Sequence, residues 1–222
     1  MKYSENDMEL LYFCKTEDLT AEDYQTISEV PRRVVQYDKG DIIARQGETI
    51  NALYFLTKGK VRTEMASDQG FALYVGEVVA PFPLASAFLF TKNNRFPVDV
   101  IANESTEISI FQKKDIEYLL SNCPPFLYGF LGLLGNQMRH LSERLKVFSF
   151  ETIRSKLAYY ILTINHNGEF HFENSITDLA SYFGVRRQSL SREISKMVDD
   201  KIITFEGGHG NIIDVKKFKE LL

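Results

Sequence analysis

Seven apolar side chains, Leu127, Leu131, Leu134, Met138, Leu141, Leu145 and Phe148, follow one another at alternating intervals of four and three residues. A helix brings such positions onto one stripe, and a stripe of period 3.5 held this long is the pattern by which two helices meet along a seam. Pro125 stands at the start, where a proline suits the first helical turn because its missing N–H has no partner there in any case. Phe130 and Leu133 lie off the stripe and are free to pack on a neighbouring domain. Gly129, Gly132 and Gly135 each lower helix propensity by up to about 1 kcal/mol, so the helix depends on packing. The alternative is a helix packed only within its own domain. The regularity of the stripe favours a second copy of the chain, with the seven residues as the dimer seam.

The seam also divides the chain. Upstream, short β-rich runs (33–37, 42–45, 52–56, 60–64, 72–75, 98–101 and 107–111) are separated by Asp38-Lys39-Gly40-Asp41, Gln46-Gly47-Glu48, Lys58-Gly59-Lys60 and Ser67-Asp68-Gln69-Gly70. Many short strands with glycine-bearing breaks predict an antiparallel barrel or jelly roll. A short helix over 19–30, with Thr20 as its cap ahead of Glu22 and Asp23, precedes these strands. A further helix over 113–121 stops before Cys123-Pro124-Pro125.

Downstream, a helix over 151–165 buries Ile153, Leu157, Ile161 and Ile164, and ends at His166-Asn167-Gly168. Residues 175–184 then have the form of a short helix capped at Thr177, with Asp178 at its positive end and Leu179, Ala180 and Phe183 facing inward. Gly184-Val185 supplies a tight turn. A second helix over 186–200 buries Leu190, Ile194 and Met197, and offers Arg186, Arg187, Gln188, Ser189, Ser191, Arg192 and Lys196 for contacts. Two short helices joined by a glycine turn are the arrangement that lays a helix in the major groove of DNA. There Arg bonds guanine O6 and N7, and Gln bonds adenine N6 and N7. A solvated charged face is the bland alternative; the capped helix before it and a winged hairpin beyond decide against it. That hairpin reads as strands over 202–206 and 211–215 joined by Gly207-Gly208-His209-Gly210. Its glycines lack the Lys-Ser/Thr pair of a phosphate-binding loop.

A net charge of −4 does not advertise nucleic-acid binding, but a small basic face is readily offset by an acidic remainder. No apolar run approaches the ~20 residues of a membrane span, and residues 1–9 are polar and acidic, unlike a signal peptide. A cytoplasmic location is expected, with no membrane partner. Cys14 and Cys123 are far apart in sequence, so neither a disulfide framework nor a four-cysteine metal site is expected. The histidines, His140, His166, His171 and His209, are scattered; His166 and His171 come near each other across the loop at Gly168, but no further metal ligand is evident. Neither catalysis nor a metal site is expected.

Over nearly its whole length the chain resembles the CRP/FNR superfamily of bacterial regulators. Tyr37-Asp38-Lys39-Gly40-Asp41-Ile42-Ile43, Gln46-Gly47-Glu48, Leu53-Tyr54-Phe55-Leu56 and Lys58-Gly59-Lys60-Val61 are similar to the family's effector-binding β-roll. The seam sits where the family has its dimerisation helix, and Arg187-Gln188-Ser189-Leu190-Ser191-Arg192 resembles its recognition helix. The resemblance implies an α+β chain: a β-roll sensor domain over 1–123, a dimerisation helix over 124–149, and a winged helix-turn-helix over 150–222. It implies a homodimer binding double-stranded DNA at a two-fold symmetric site, working with RNA polymerase. An orphan small-molecule-binding module is the rival class, and it would lack the basic recognition helix.

Two departures accompany the match. Cyclic-nucleotide members carry Gly-Glu-Leu-Gly-Leu-Phe followed by Arg-Ser. Here the corresponding stretch is Phe82-Pro83-Leu84-Ala85-Ser86-Ala87-Phe88, followed by Arg95-Phe96. Arg95 is kept, but the ribose-binding Glu and the phosphate-binding Ser are not. Unpaired cyclic-phosphate groups would cost a few kcal/mol, so tight binding of cyclic AMP is not expected. Nor do Cys14 and Cys123 supply the four thiolates of an iron–sulfur sensor. The candidate effector region is Phe82, Leu84, Ser86, Phe88, Arg95 and Phe96, with Phe90 beside it; it reads either as core packing or as a pocket for an apolar or planar ligand, haem included. The second departure is Gln188, which stands where many relatives have Glu, so the preferred half-site should differ there.

Overall fold

In the computed structural model residues 8–66 and 72–222 are described, and the turn expected at residues 67–70 lies outside them. The chain forms two compact units, residues 1–136 and 137–222.

The first unit opens with α1 (Met8–Leu11), a 3-10 turn and α2 (Ala21–Ser28). Thr20 caps α2 in a full capping box, its hydroxyl accepting from the Asp23 N–H while Asp23 reaches back to the Thr20 backbone. Eight strands follow: β1 (Arg32–Tyr37), β2 (Ile42–Ala44), β3 (Ala52–Lys58), β4 (Lys60–Ala66), β5 (Ala72–Val79), β6 (Phe82–Leu84), β7 (Asp99–Ala102) and β8 (Thr106–Gln112). They build two four-stranded sheets, ordered β1-β8-β3-β6 and β2-β7-β4-β5, with every pairing antiparallel. One hydrophobic cluster draws Leu53, Leu56 and Ile108 from the first sheet and Val61, Val100 and Ala102 from the second. This is the expected jelly-roll texture, and its turns explain it. Gly59 joins β3 to β4 at φ +86°, and a Cβ there would lie 2.5 Å from the Ser105 carbonyl oxygen.

The helices α3 (Lys113–Asn122) and α4 (Pro124–Phe148) come next, with Ile116, Leu119, Phe126 and Phe130 entering the same cluster. Phe130 and Leu133, the two residues off the stripe, pack on this core as expected. On the stripe itself Leu127 and Leu134 are half-buried, whereas Leu131, Met138, Leu141, Leu145 and Phe148 are exposed, Met138 at 71% and Leu145 at 61%. Gly129 is the point of closest approach: a Cβ would meet the Phe13 carbonyl oxygen at 1.3 Å, so the N-terminal segment crosses directly over the helix backbone.

The second unit contains the end of α4, then α5 (Ile153–Ile164), β9 (Glu169–His171), α6 (Ile176–Phe183), α7 (Arg187–Asp199), β10 (Ile203–Glu206), β11 (His209–Ile212) and α8 (Val215–Lys219). Its core gathers Val147, Leu157, Ile161, Phe183, Leu190, Ile194, Met197 and Phe218, so the inward faces expected for the helices are observed.

Three local expectations are corrected. Ser175, not Thr177, caps α6, because the helix starts two residues earlier than a cap at Thr177 would place it. The wing turn has two residues, not four: Gly207 and Gly208 both take positive φ, as a tight hairpin requires, and His209 and Gly210 join the strand. That strand ends at Ile212, and Val215 begins α8 under an Asp214 cap. The strands β6 and β9, three residues each, are too short to leave a periodic signature.

Candidate nucleic-acid interface

The helix pair is positioned from behind. The Ser175 hydroxyl accepts from the Asp178 N–H at 3.2 Å and starts α6. Gly184 ends it in the left-handed region, φ +67°, its N–H bonded to the Ala180 and Ser181 carbonyls. A Cβ on Gly184 would lie 2.7 Å from the Phe148 ring. Lys156 of α5 donates to the Phe183 carbonyl at 3.2 Å, satisfying an acceptor that the helix end leaves open. Glu193 of α7 and Asp200 just past its end both accept from Arg154 of α5, the latter at 2.9 Å. The hydrogen bond it donates to Glu193 first, and that to Asp200 after it, hold the Arg154 guanidinium protonated above its ordinary range. With Leu190, Ile194 and Met197 buried, rotation of α7 is fixed.

What α7 then turns outward is cationic and polar. Arg187, Gln188, Ser191, Arg192 and Lys196 are exposed, as is Arg186 just before the helix; Ser189 is half-buried and faces away from the centre of that surface. Ser195 lies on the same exposed arc, its hydroxyl donating to the Ser191 carbonyl at 3.1 Å. Sequence reasoning passed over Ser195, although its spacing of four from Ser191 was the available signal. Arg186 takes the cap position with extended backbone and no side-chain cap, leaving its guanidinium to solvent. Lys196 sits 3.9 Å from Glu193, a contact too long and too exposed to hold it. Residues 137–222 carry 13 Lys and Arg against 11 Asp and Glu, and residues 1–136 carry 13 against 19. The basic excess is thus local to the unit that contains the helix pair.

The wing is an antiparallel sheet ordered β10-β11-β9. Phe170 of β9 stacks on Phe205 of β10 with planes 8° apart, passing over Gly210, where a Cβ would meet the Phe170 ring at 2.3 Å. Gly210 is therefore a packing glycine rather than part of a loose tip.

The candidate effector residues are not brought together. Leu84 and Phe96 are buried in the core, with Phe96 edge-on to Tyr54 at 5.4 Å. Phe82 is half-buried near Tyr12, and Phe88 is exposed. Arg95 is exposed and donates to the Gly47 carbonyl at 2.6 Å. Ser86 is buried, and its hydroxyl has no hydrogen-bond partner. Packing thus accounts for Leu84 and Phe96, and Ser86 alone offers an unused polar atom. A cleft of about 710 Å³ opens elsewhere in this unit, between Tyr12, Phe13 and Cys14 on one side and Pro125, Tyr128 and Leu133 of α4 on the other. Burial, helped by the nearby Cys123 and Asp23, pushes the Cys14 thiol up to about 12. Cys123 is buried and donates to Asp23 at 3.4 Å. These thiols stay protonated and unreactive at neutral pH.

Known proteins match both halves of the chain. Residues 34–123 match the cyclic nucleotide-binding domain family, and residues 155–221 match the Crp-like helix-turn-helix domain family. The transcriptional activator protein anr of Pseudomonas aeruginosa is 20% identical over 219 residues, covering 94% of this chain and 88% of its own length. The cyclic AMP receptor protein of Thermus thermophilus is 23% identical over 189 residues, covering 83% and 86%. Among solved structures, a CooA variant from Carboxydothermus hydrogenoformans superposes with a TM-score of 0.60 at 17% identity, covering 99% of this chain and 97% of that one; at that identity the likeness shows the fold. No helix among the described residues is long and apolar enough to cross a membrane.

Proposed function

Since the chain belongs to the CRP/FNR family of transcription regulators, we propose that it acts as a cytoplasmic homodimer, two copies of α7 reading successive major grooves of a two-fold symmetric DNA site. The observation that carries the reading is the outward arc of α7, with Arg187, Gln188, Ser191 and Arg192 exposed on a helix whose opposite face is locked by packing and by Arg154. Arg186 and Lys196 flank the arc and suit phosphate contacts, which orient the protein without selecting sequence. The dimer rests on Leu131, Met138, Leu141 and Leu145, a solvent-facing apolar stripe of a kind that monomeric helices rarely carry. RNA polymerase is the further partner that a regulator of this family would engage.

Selection of bound sequences from random DNA tests the reading: a palindromic site with half-sites about one helical turn apart is expected. Gln188→Glu sharpens it, because Glu accepts from cytosine N4 whereas Gln pairs with adenine. The preferred base should move, and an unchanged site would remove Gln188 from the base-reading set.

In the first unit, the loss of the cassette Glu and the placement of buried Phe96 after Arg95 argue against cyclic AMP as effector. The haem reading is tested by purification after haem supplementation; absence of Soret absorption under reducing conditions ends it.

A further inference from the structure

Three of the four histidines fall in the wing or in the loop before β9. His171 of β9 and His209 of β11 are register partners, and their imidazoles stack with centroids 4.0 Å apart and planes 22° from parallel. On the other side of His209, Glu206 of β10 is its partner in the same register. Glu206, His209 and His171 therefore form one row across three strands, and residues in one row point to one face. It is the outer face: the next row, Phe205, Gly210 and Phe170, turns into the core. His166, Glu169 and Glu173 border a cleft of about 490 Å³ together with His171 and His209. The corrected wing turn creates this arrangement, since a four-residue loop would have left His209 outside the sheet.

The geometry points to a divalent transition-metal site on the wing, with His171 and His209 as its two protein ligands. Both residues are exposed, so solvent and ions reach the pair. Neutral imidazole is a good ligand for Zn²⁺, Ni²⁺ and Cu²⁺. At metal–nitrogen distances of about 2.0–2.1 Å, two ligand nitrogens lie at most about 4 Å apart. The register pairing sets the two side chains close enough for that, but an imidazole lone pair lies in the ring plane, so the rings have to leave the stack by rotation about χ1 and χ2 before both point at one metal. The surrounding carboxylates of Glu169, Glu173 and Glu206 favour a cation. Among the described residues no three ligand side chains already surround one point, so water fills the remaining positions, or Glu206 after its side chain swings. Such a site is weaker than a four-ligand structural zinc site, and it suits reversible occupancy. Bound metal would clasp β9 to β11 and offset the acidic face of the wing.

Metal binding is separable from DNA binding, and its test uses metal alone. The full-length reduced chain, stripped with chelator, is titrated with ZnCl₂ by calorimetry, as are His171→Asn, His209→Asn and the control His140→Asn. We expect one Zn²⁺ per chain in the wild type and in His140→Asn, and at least tenfold weaker binding in either wing variant. Imidazole ¹H–¹⁵N spectra of the wild type give a readout that no folding defect can imitate: His171 and His209 signals should shift with Zn²⁺ while that of His140 stays. Absence of binding, or binding that leaves the His171 and His209 signals and both wing variants unaltered, overturns the site.

Discussion

The two units of the chain hold the same number of basic residues, 13 each, yet the first carries 19 acidic residues and the second 11. The difference runs deeper than charge. In the second unit the candidate site lies on the surface of a helix, where the 3.6-residue period separates what packs from what is exposed. In the first unit any effector chemistry has to share an aromatic interior with the residues that hold the sheets together. A leucine on the wrong side of α7 would have been conspicuous; another phenylalanine between β-sheets is not.

The sharpest break in this comparison lies at Gly129. Replacing it with Ala drives a methyl group into the Phe13 carbonyl, a backbone atom with no room to give. A loss of about 3 kcal/mol is expected, concentrated in residues 1–136. Hydrogen exchange resolves where the loss falls, and amides of α6 and α7 should keep their protection. If they lose it equally, the division into two units fails as a description of stability.

Arg187→Ala inverts the pattern. Arg187 is exposed, so the thermal midpoint should stay within experimental scatter. Affinity for the selected DNA site should fall by tenfold or more, the ~1–3 kcal/mol of a lost base contact. A binding measurement at fixed salt decides it. Unchanged affinity would reduce the arc to a solvated face. Between these extremes stands Gly184→Ala, which affects both properties. Its left-handed φ costs an ordinary residue about 1–2 kcal/mol, and the Phe148 ring has to move aside. Stability of the second unit and DNA affinity should fall together, because the turn sets the angle at which α7 is presented.

These contrasts also explain what was readable from sequence. The glycine turns announced the β-roll because Gly40, Gly47 and Gly59 all occupy backbone space closed to most residues. Leu190, Ile194 and Met197 disclosed the exposed face of α7 by elimination. The wing register was misjudged because four consecutive residues, Gly207 to Gly210, permit several turns from sequence, and only the packing of Phe170 over Gly210 selects one. The stacked histidines were invisible for the same reason: they lie 38 positions apart, and a register error of two residues separates them. The effector region stayed ambiguous because Leu84 and Phe96 look alike as wall of a pocket or as filler of a core, and burial, which a sequence does not print, is what tells them apart.

The smallest expected effect bears on that ambiguity. Saturating cyclic AMP should shift the thermal midpoint by less than about 1 °C. A ligand present at 100 times its dissociation constant stabilises by about 2.7 kcal/mol, which for a chain of this size means several degrees; a true effector could not hide. The reasoning is local. Arg95, the cassette's charged residue that is retained, is engaged with the Gly47 carbonyl, and Phe96 beside it is buried against Tyr54, where a hydroxyl would be needed. Ser86 has a free hydroxyl but is itself buried, so reaching it would require the segment around Ala85 to open. A midpoint rise of several degrees, abolished by Arg95→Ala, would show that it does open. The first unit would then hold an effector site on residues that a sequence can point to.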